Sequence, residues 1–197
     1  MADAAPAESR YTSERYFALV DQGVLHPDDR VELLEGVVVA MAPQNPPHAA
    51  VTSQAARVLG RIVGERAAVR VQVPLIAGPY SVPEPDVAIV PGREMDYHRA
   101  HPTTALLVVE VADSSLAQDR LTKAAIYAAA AIPEYWLMNL RDECVEVYRA
   151  PEPSARRYTE RRLARRGERI ALVSLPGVTL AASDLLPPAE STPGAQR

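Results

Sequence analysis

The chain has a single cysteine, Cys144, in 197 residues. That excludes an internal disulfide and a thiolate-ligated metal cluster. No apolar run reaches the roughly 18 residues that would cross a bilayer as a helix. The opening MADAAPAESR lacks the apolar centre of a secretion signal, so the expectation is no leader and a cytoplasmic location. Neither GxGxxG nor GxxxxGK[ST] occurs, which removes the glycine-rich phosphate loops. No serine stands in a nucleophile-elbow pattern. Basic excess is missing as well: 21 Lys and Arg face 25 Asp and Glu, a formal net charge of −4. The balance argues against non-specific attraction to nucleic acid through global charge and leaves a local basic groove open.

What remains is ordinary globular material, 48% hydrophobic and 23% charged, of a length that suits one domain. The expected domain covers 10–186. The Ala/Pro/Glu-rich stretch 1–9 and the Pro/Ser/Thr/Gly tail 187–197 read as disordered ends. A first helix is expected over 13–22, with Ser13 as N-cap and Gly23 as its stop. A short helical or turn segment, 28–34, follows. Gly36 then opens a strand over 37–41. The Pro-rich loop 43–47 leads into a helix over 48–66, where Val51, Ala55, Val58, Leu59 and Ile62 recur at helical spacing. Strands are expected at 69–76, 86–90 and 106–111, and an Ala-rich helix at 117–131. Two strands, 135–139 and 145–149, form a hairpin around Arg141-Asp142-Glu143. Two more lie within 158–180 and join near Arg166-Gly167. Strands cluster around one helix instead of alternating strictly with helices, so the fold class is α/β (α+β): a mixed sheet flanked by helices, with an added C-terminal β-ribbon.

Glu110 carries the most information. It interrupts Leu106-Leu107-Val108-Val109-Glu110-Val111, a run apolar on both faces, as in a central covered strand. A carboxylate there must be compensated by a cation, a hydrogen-bond network or a raised pKa. A buried ion pair with an arginine and a functional site both meet that demand. Asp86 follows Val82-Pro83-Glu84-Pro85 and begins the apolar strand Val87-Ala88-Ile89-Val90. It is either a turn residue bonding its own backbone or a ligand at a strand entrance. Glu84 alternates onto the same face. If the two strands pair, Asp86 and Glu110 converge, and two carboxylates there would take a hard cation such as Mg²⁺ or Mn²⁺. Lys123 lies four residues after Asp119, as an exposed helical ion pair or as a cation beside the metal. Glu32 alone reads as a surface carboxylate.

Together these stretches form a pattern. RVELLEGVVVAMAP (30–43), PPHAAV (46–51), VPEPDVAIV (82–90), LLVVEVADSS (106–115), DRLTKAAIYAAAAIPEYWLMN (119–139) and LPGVTL (175–180) resemble the Uma-type family of restriction-endonuclease-like proteins, within the PD-(D/E)XK nuclease superfamily. The resemblance implies a mixed sheet core, Asp86 and Glu110 as metal ligands, Lys123 as the catalytic lysine, and Glu32, on an early helix, as an auxiliary acid. It implies Mg²⁺ or Mn²⁺ as cofactor and DNA as partner. The superfamily's lysine usually lies two residues after the strand glutamate; Ala112 stands there, and the Uma-type pattern supplies a lysine from the next helix instead. Many members have Glu just after the glycine that matches Gly36; here it is Val37, with Glu35 where Asp is common.

Other features have blander readings. Asp96, His98 and His101 make DxHxxH, a possible zinc pattern without a third strong ligand. His48 follows two prolines, at a helix end or near the site. Arg156, Arg157, Arg161, Arg162, Arg165, Arg166 and Arg169 form either a phosphate-contacting cluster or a solvated ribbon face that protects an edge. Tyr135 and Trp136 read as core, and Ser114 and Ser115 as helix caps. The expectation is a Mg²⁺-dependent endonuclease hydrolysing DNA phosphodiester bonds, with a homodimer suggested by the ribbon edge. A catalytically inactive member of the same fold, serving binding or assembly, is the alternative; hydrolysis of another phosphoester is a third reading.

Overall fold

The structure, a computed structural model, describes residues 10–189. The expected disordered ends therefore lie outside the described residues, except 187–189, which carry no regular structure. Helix α1 spans Ser13–Asp21. Its N-cap is Thr12, not Ser13: the Thr12 hydroxyl accepts from Arg15 N, while Ser13 is buried and donates to Gly78 O at 2.8 Å. The helical or turn segment expected over 28–34 is a 3-10 turn only at Pro27–Asp29 and is followed by strand β1 (Val31–Leu34). β1 pairs antiparallel with β2 (Val37–Ala40). Their two-residue connection puts Glu35 at φ 55° and Gly36 at φ 83°, the double left-handed turn that matches strand twist. Gly36 is also required sterically, because a Cβ there would stand 2.7 Å from Arg10 Cβ.

Helix α2 (Pro46–Val63) begins earlier than expected, because Asn45 caps it by accepting from His48 N and proline is favoured at the first helical position. β3 (Ala68–Arg70) is short. The chain beyond it stays irregular through 76, since Gln72 takes φ 50° and breaks the extended run. β4 (Val87–Val90) and β5 (Leu107–Ala112) follow. The polar stretch between them holds a single 3-10 turn, Glu94–Tyr97. Helix α3 (116–129) is α-helical at Leu116–Gln118, π-helical at Asp119–Lys123 and α-helical again at Ala124–Ala129. β6 (Glu134–Asn139), β7 (Cys144–Glu152) and β8 (Arg157–Ala164) complete a six-stranded sheet of order β3-β4-β5-β6-β7-β8. Only β5–β6 is parallel, and α3 is its crossover. The remaining C-terminal segment gives two strands rather than one, β9 (Arg169–Ala171) and β10 (Thr179–Ala181), which pair as a separate ribbon.

The period-2 rule sorts the core. Val87, Ile89, Leu107, Val109 and Val111 face α2, packing with Val51, Ala55 and Leu59. Ala88, Val90, Val108 and Ala112 face α3, packing with Ala124, Ile126 and Tyr127. Glu110 lies between Val108 and Ala112 and so belongs to the α3 face. The antiparallel register Val87↔Val109, carried one residue further, sets Asp86 opposite Glu110 on that same face. Tyr135 and Trp136 are fully buried core residues, as their strand predicts.

Candidate active site

The site forms where β4 and β5 part. Beyond Val87 the ladder gives way, and the Asp86 side chain replaces the backbone acceptor: Oδ2 accepts from Val111 N at 2.8 Å. Oδ1 accepts from Gln72 Nε2 at 3.0 Å, and His48 Nε2 stands 3.2 Å from Oδ2. Burial pushes the Asp86 carboxyl up, but His48 and the two N–H donors outweigh it and hold the group below its ordinary range. The same hydrogen bond raises the His48 pKa. Asp86 is thus an ionised carboxylate in a fixed pose, and not a residue turned back on its own backbone.

Glu110 is 3% exposed. Its Oε1 accepts from Lys123 Nζ at 3.1 Å and from the Tyr127 hydroxyl at 2.6 Å. Burial pushes its carboxyl up to about 8, against the pull of Lys123. Lys123 is 7% exposed and also reaches Glu32 Oε2 at 3.3 Å. Burial works to lower the Lys123 pKa, yet Glu110, Glu32 and Asp119 raise it well above the ordinary lysine value. The ammonium therefore stays charged. Glu32 comes from β1 rather than from an early helix, and its Oε2 also accepts from Glu84 N at 3.2 Å. It is buried, not the surface carboxylate that sequence alone suggested. The compensating cation for Glu110 is a lysine rather than an arginine, and the helical Asp119–Lys123 pairing gives way to Lys123–Glu110 and Lys123–Glu32.

The π-helical turn explains how Lys123 arrives. Ala124 N–H donates back to Asp119 O, five residues earlier, which widens the turn. Lys123 and Asp119 both end buried while Leu121 is 73% exposed. Asp119 Oδ2 accepts from Ser115 Oγ at 2.5 Å, so Ser115, at the N-cap position of α3, bonds a side chain and not a helix N–H. Burial raises the Asp119 carboxyl. Arg120 leaves the other side of the turn and clamps Glu146 on β7, which is buried and also accepts from Arg161, Tyr148 and Asn139. Ala112 is fully buried; the lysine reaches Glu110 from α3 instead.

Glu32, His48, Asp86, Glu110, Asp119 and Lys123 line one small open cleft of about 70 Å³, together with Arg30, Glu84 and Met41. Its carboxylates, Glu32, Glu84, Asp86, Glu110 and Asp119, outnumber its permanent cations, Arg30 and Lys123. Burial raises Glu84 too. Such an excess suits a hard cation, and carboxylate oxygens are the donors Mg²⁺ and Mn²⁺ take. Among the described residues no three His, Cys, Asp or Glu stand close enough to surround an ion unaided, so water or substrate oxygens would complete its shell.

The structure leaves the other candidates apart. Asp96 caps Arg93 N, His98 turns to Met95 O, and His101 lies against Arg70 and Phe17; DxHxxH is not a cluster. Glu35 pairs with Arg156, away from the cleft, and Val37 is exposed. The arginines of the ribbon face are largely matched: Arg157 with Glu152, Arg161 with Glu146, Arg162 with Glu168, and Arg166 with Glu143. Sequence reading undervalued Asp119, Tyr127 and Gln72, which carry no motif of their own; the π turn and the irregular 71–76 segment bring them in.

The sequence model of Uma2, described as "Putative restriction endonuclease", matches residues 13–183. The chain belongs to the Uma2 family. Among curated proteins none matches it. The Uma2 chain also shares its fold with a crystal structure at 1.96 Å described as a putative nuclease belonging to DUF820 from Anabaena variabilis ATCC 29413. The two are 19% identical, with a TM-score of 0.68 over 88% of this chain and 96% of that one.

Proposed function

We propose that this Uma2 protein is a metal-dependent nuclease that hydrolyses DNA phosphodiester bonds at the Asp86–Glu110 cleft. The observation that carries the reading is one buried ammonium, Lys123, held between Glu110 and Glu32 beside the ionised Asp86. Asp86 and Glu110 would hold Mg²⁺ or Mn²⁺; such an ion supplies a water of lowered pKa and polarises a phosphoryl oxygen. Glu110 gives up its proton when it takes up a ligand role. Lys123 stays charged, so it serves as a donor to the water and to phosphate oxygen and not as a base. Glu32 holds that ammonium in place, and His48 and Gln72 fix Asp86. In the reaction the water oxygen bonds to phosphorus as its proton passes to solvent, one ester P–O bond breaks, and the departing alkoxide takes up a proton from solvent.

The alternative of an inactive binding module rests on the acidic balance and on Ala112 and Val37, where the family pattern is departed from. Of these, the Ala112 departure carries less weight with Lys123 of α3 bonded to Glu110. Calorimetry with Mn²⁺ and Mg²⁺, on wild type and Glu110→Ala, tests the site. The expected result is binding that disappears in a variant that still folds. Equal binding by both proteins would remove Glu110 from the metal site.

A further inference from the structure

A second, larger groove opens directly off the carboxylate cleft. It is an open groove of about 720 Å³ and shares Arg30, Met41 and Glu84 with the cleft. One wall is α1, through Tyr16, Phe17 and Val20; the other is the irregular segment Val73-Pro74 with His101. Phe17 and His101 stack there, with ring centroids 5.3 Å apart and planes 15° apart. Arg70 Nη2 lies 3.3 Å from His101 Nδ1. A guanidinium can only donate, so Nδ1 accepts and the ring proton sits on Nε2. Burial and the Arg70 charge both lower the His101 pKa, which keeps that ring neutral.

The charge along this groove decides what it can hold. Arg30 is the one permanent cation of its lining, against Asp21, Asp28 and Glu84, so it offers no continuous basic track for a duplex backbone. Its aromatic and aliphatic wall instead suits the uncharged face of a base. Arg30 stands at the junction. It is exposed, it lines both cavities, and it takes part in none of the ion pairs within 4.0 Å among the described residues. A guanidinium so placed is available for a phosphate.

Resting on the nuclease reading, we infer that the cut strand runs past Arg30 into this groove, with a phosphate on Arg30 and one unpaired base against the Phe17–His101 stack. The substrate class this implies is single-stranded DNA, or duplex carrying an unpaired flap or end next to the cut, in preference to continuous duplex.

The test is fluorescence anisotropy with two labelled probes of the same sequence, a single-stranded oligonucleotide and its blunt duplex. Calcium replaces magnesium, so that binding is read without turnover. Wild type, Phe17→Leu and Arg30→Ala are compared, and Phe17→Leu keeps apolar volume while removing the ring. The expected result is tighter binding of the single strand by wild type. Phe17→Leu should lose roughly fivefold or more of that affinity, as expected for one stacked base, with its duplex affinity unchanged. Arg30→Ala should reduce the salt slope by about one. Duplex bound as tightly as single strand, with Phe17→Leu indistinguishable from wild type and Mg²⁺-dependent cleavage intact, would overturn the groove assignment and leave the nuclease reading standing. Failure of wild type to bind or cut either probe would overturn both.

Discussion

Replacing Lys123 with Met removes one charge and little volume, and it strands two buried carboxylates. Glu110 loses a donor at 3.1 Å and Glu32 one at 3.3 Å. Removing one partner of a buried ion pair costs about 3–5 kcal/mol when the remaining charge stays ionised. In a domain of this size each kcal/mol lowers Tm by roughly 2–4 °C, so the full loss is on the order of 6–20 °C. That loss should depend on pH. The Glu110 carboxyl already sits near 8 in the folded protein, against 4.5 as its ordinary value, because of burial. Without the ammonium it rises further. Between 4.5 and 8 both folded proteins hold the Glu110 proton and lose stability in parallel; above 8 wild type releases it while the variant still holds it, so the deficit grows as pH rises through 8. Thermal melts of Lys123→Met against wild type should show a smaller deficit at pH 5 than at pH 9, the difference opening above pH 8 by up to about 1.4 kcal/mol per pH unit. Adding Glu110→Gln to Lys123→Met should recover part of it. A deficit of the same size at both pH values would refute the electrostatic account and leave only a packing defect.

The raised Glu110 carboxyl also sets the pH dependence of metal uptake: Mg²⁺ affinity should rise by up to about tenfold per pH unit below about 8 and then flatten, which calorimetry in buffers of different ionisation heat resolves as a released proton. Glu146 behaves in the opposite sense. Burial pushes its carboxyl up, but Arg120, Tyr148, Asn139 and Arg161 outweigh that and hold it at about 2. Its contribution is therefore fully present above 4.5 and lost as pH falls towards 2. Glu146→Gln should be about 2 kcal/mol less stable at neutral pH, a modest figure because Arg120 and Arg161 are partly in solvent; acid titration of the two melts should show the gap closing. Because the ribbon arginines are already matched, Arg157→Ala with Arg162→Ala should change DNA affinity less than about twofold, as read by anisotropy. Gly36→Ala should cost at least about 1 kcal/mol in chemical denaturation, since the position has φ 83° and a Cβ would meet Arg10.

Much of this arrangement is written in local sequence. The apolar run around Glu110 is a central strand because both of its faces are covered, one by α2 and one by α3. Asp86 at a strand entrance after two prolines is where the ladder opens. The segment around Glu32 was misread because Val31, Leu33 and Leu34 fit a helical stripe as well as a strand. The deciding signal was Glu35-Gly36 between two short apolar runs, a hairpin turn, reinforced by the bridge from Leu33 to Val82. The strand expected through 76 ends at Arg70 because extended propensity does not supply a pairing partner. The π turn has no sequence signature, so Lys123 by spacing alone looked like a partner of Asp119. Its true partners lie 13 residues away on β5 and, at Glu32, on a separate hairpin; the family resemblance pointed to them where periodicity could not. The arginine cluster shows the reverse limit: a linear tally of charge cannot reveal that acids from neighbouring strands cancel it.

Cleavage of DNA by purified protein, with and without Mg²⁺ or Mn²⁺, comparing wild type with Asp86→Asn, bears most directly on the central claim. Asn keeps the side-chain volume at the mouth of β4 and removes the ionised oxygen. The account predicts ion-dependent cleavage by wild type and none by a variant that melts normally. Unchanged cleavage by Asp86→Asn, or cleavage by wild type without any divalent ion, would contradict it.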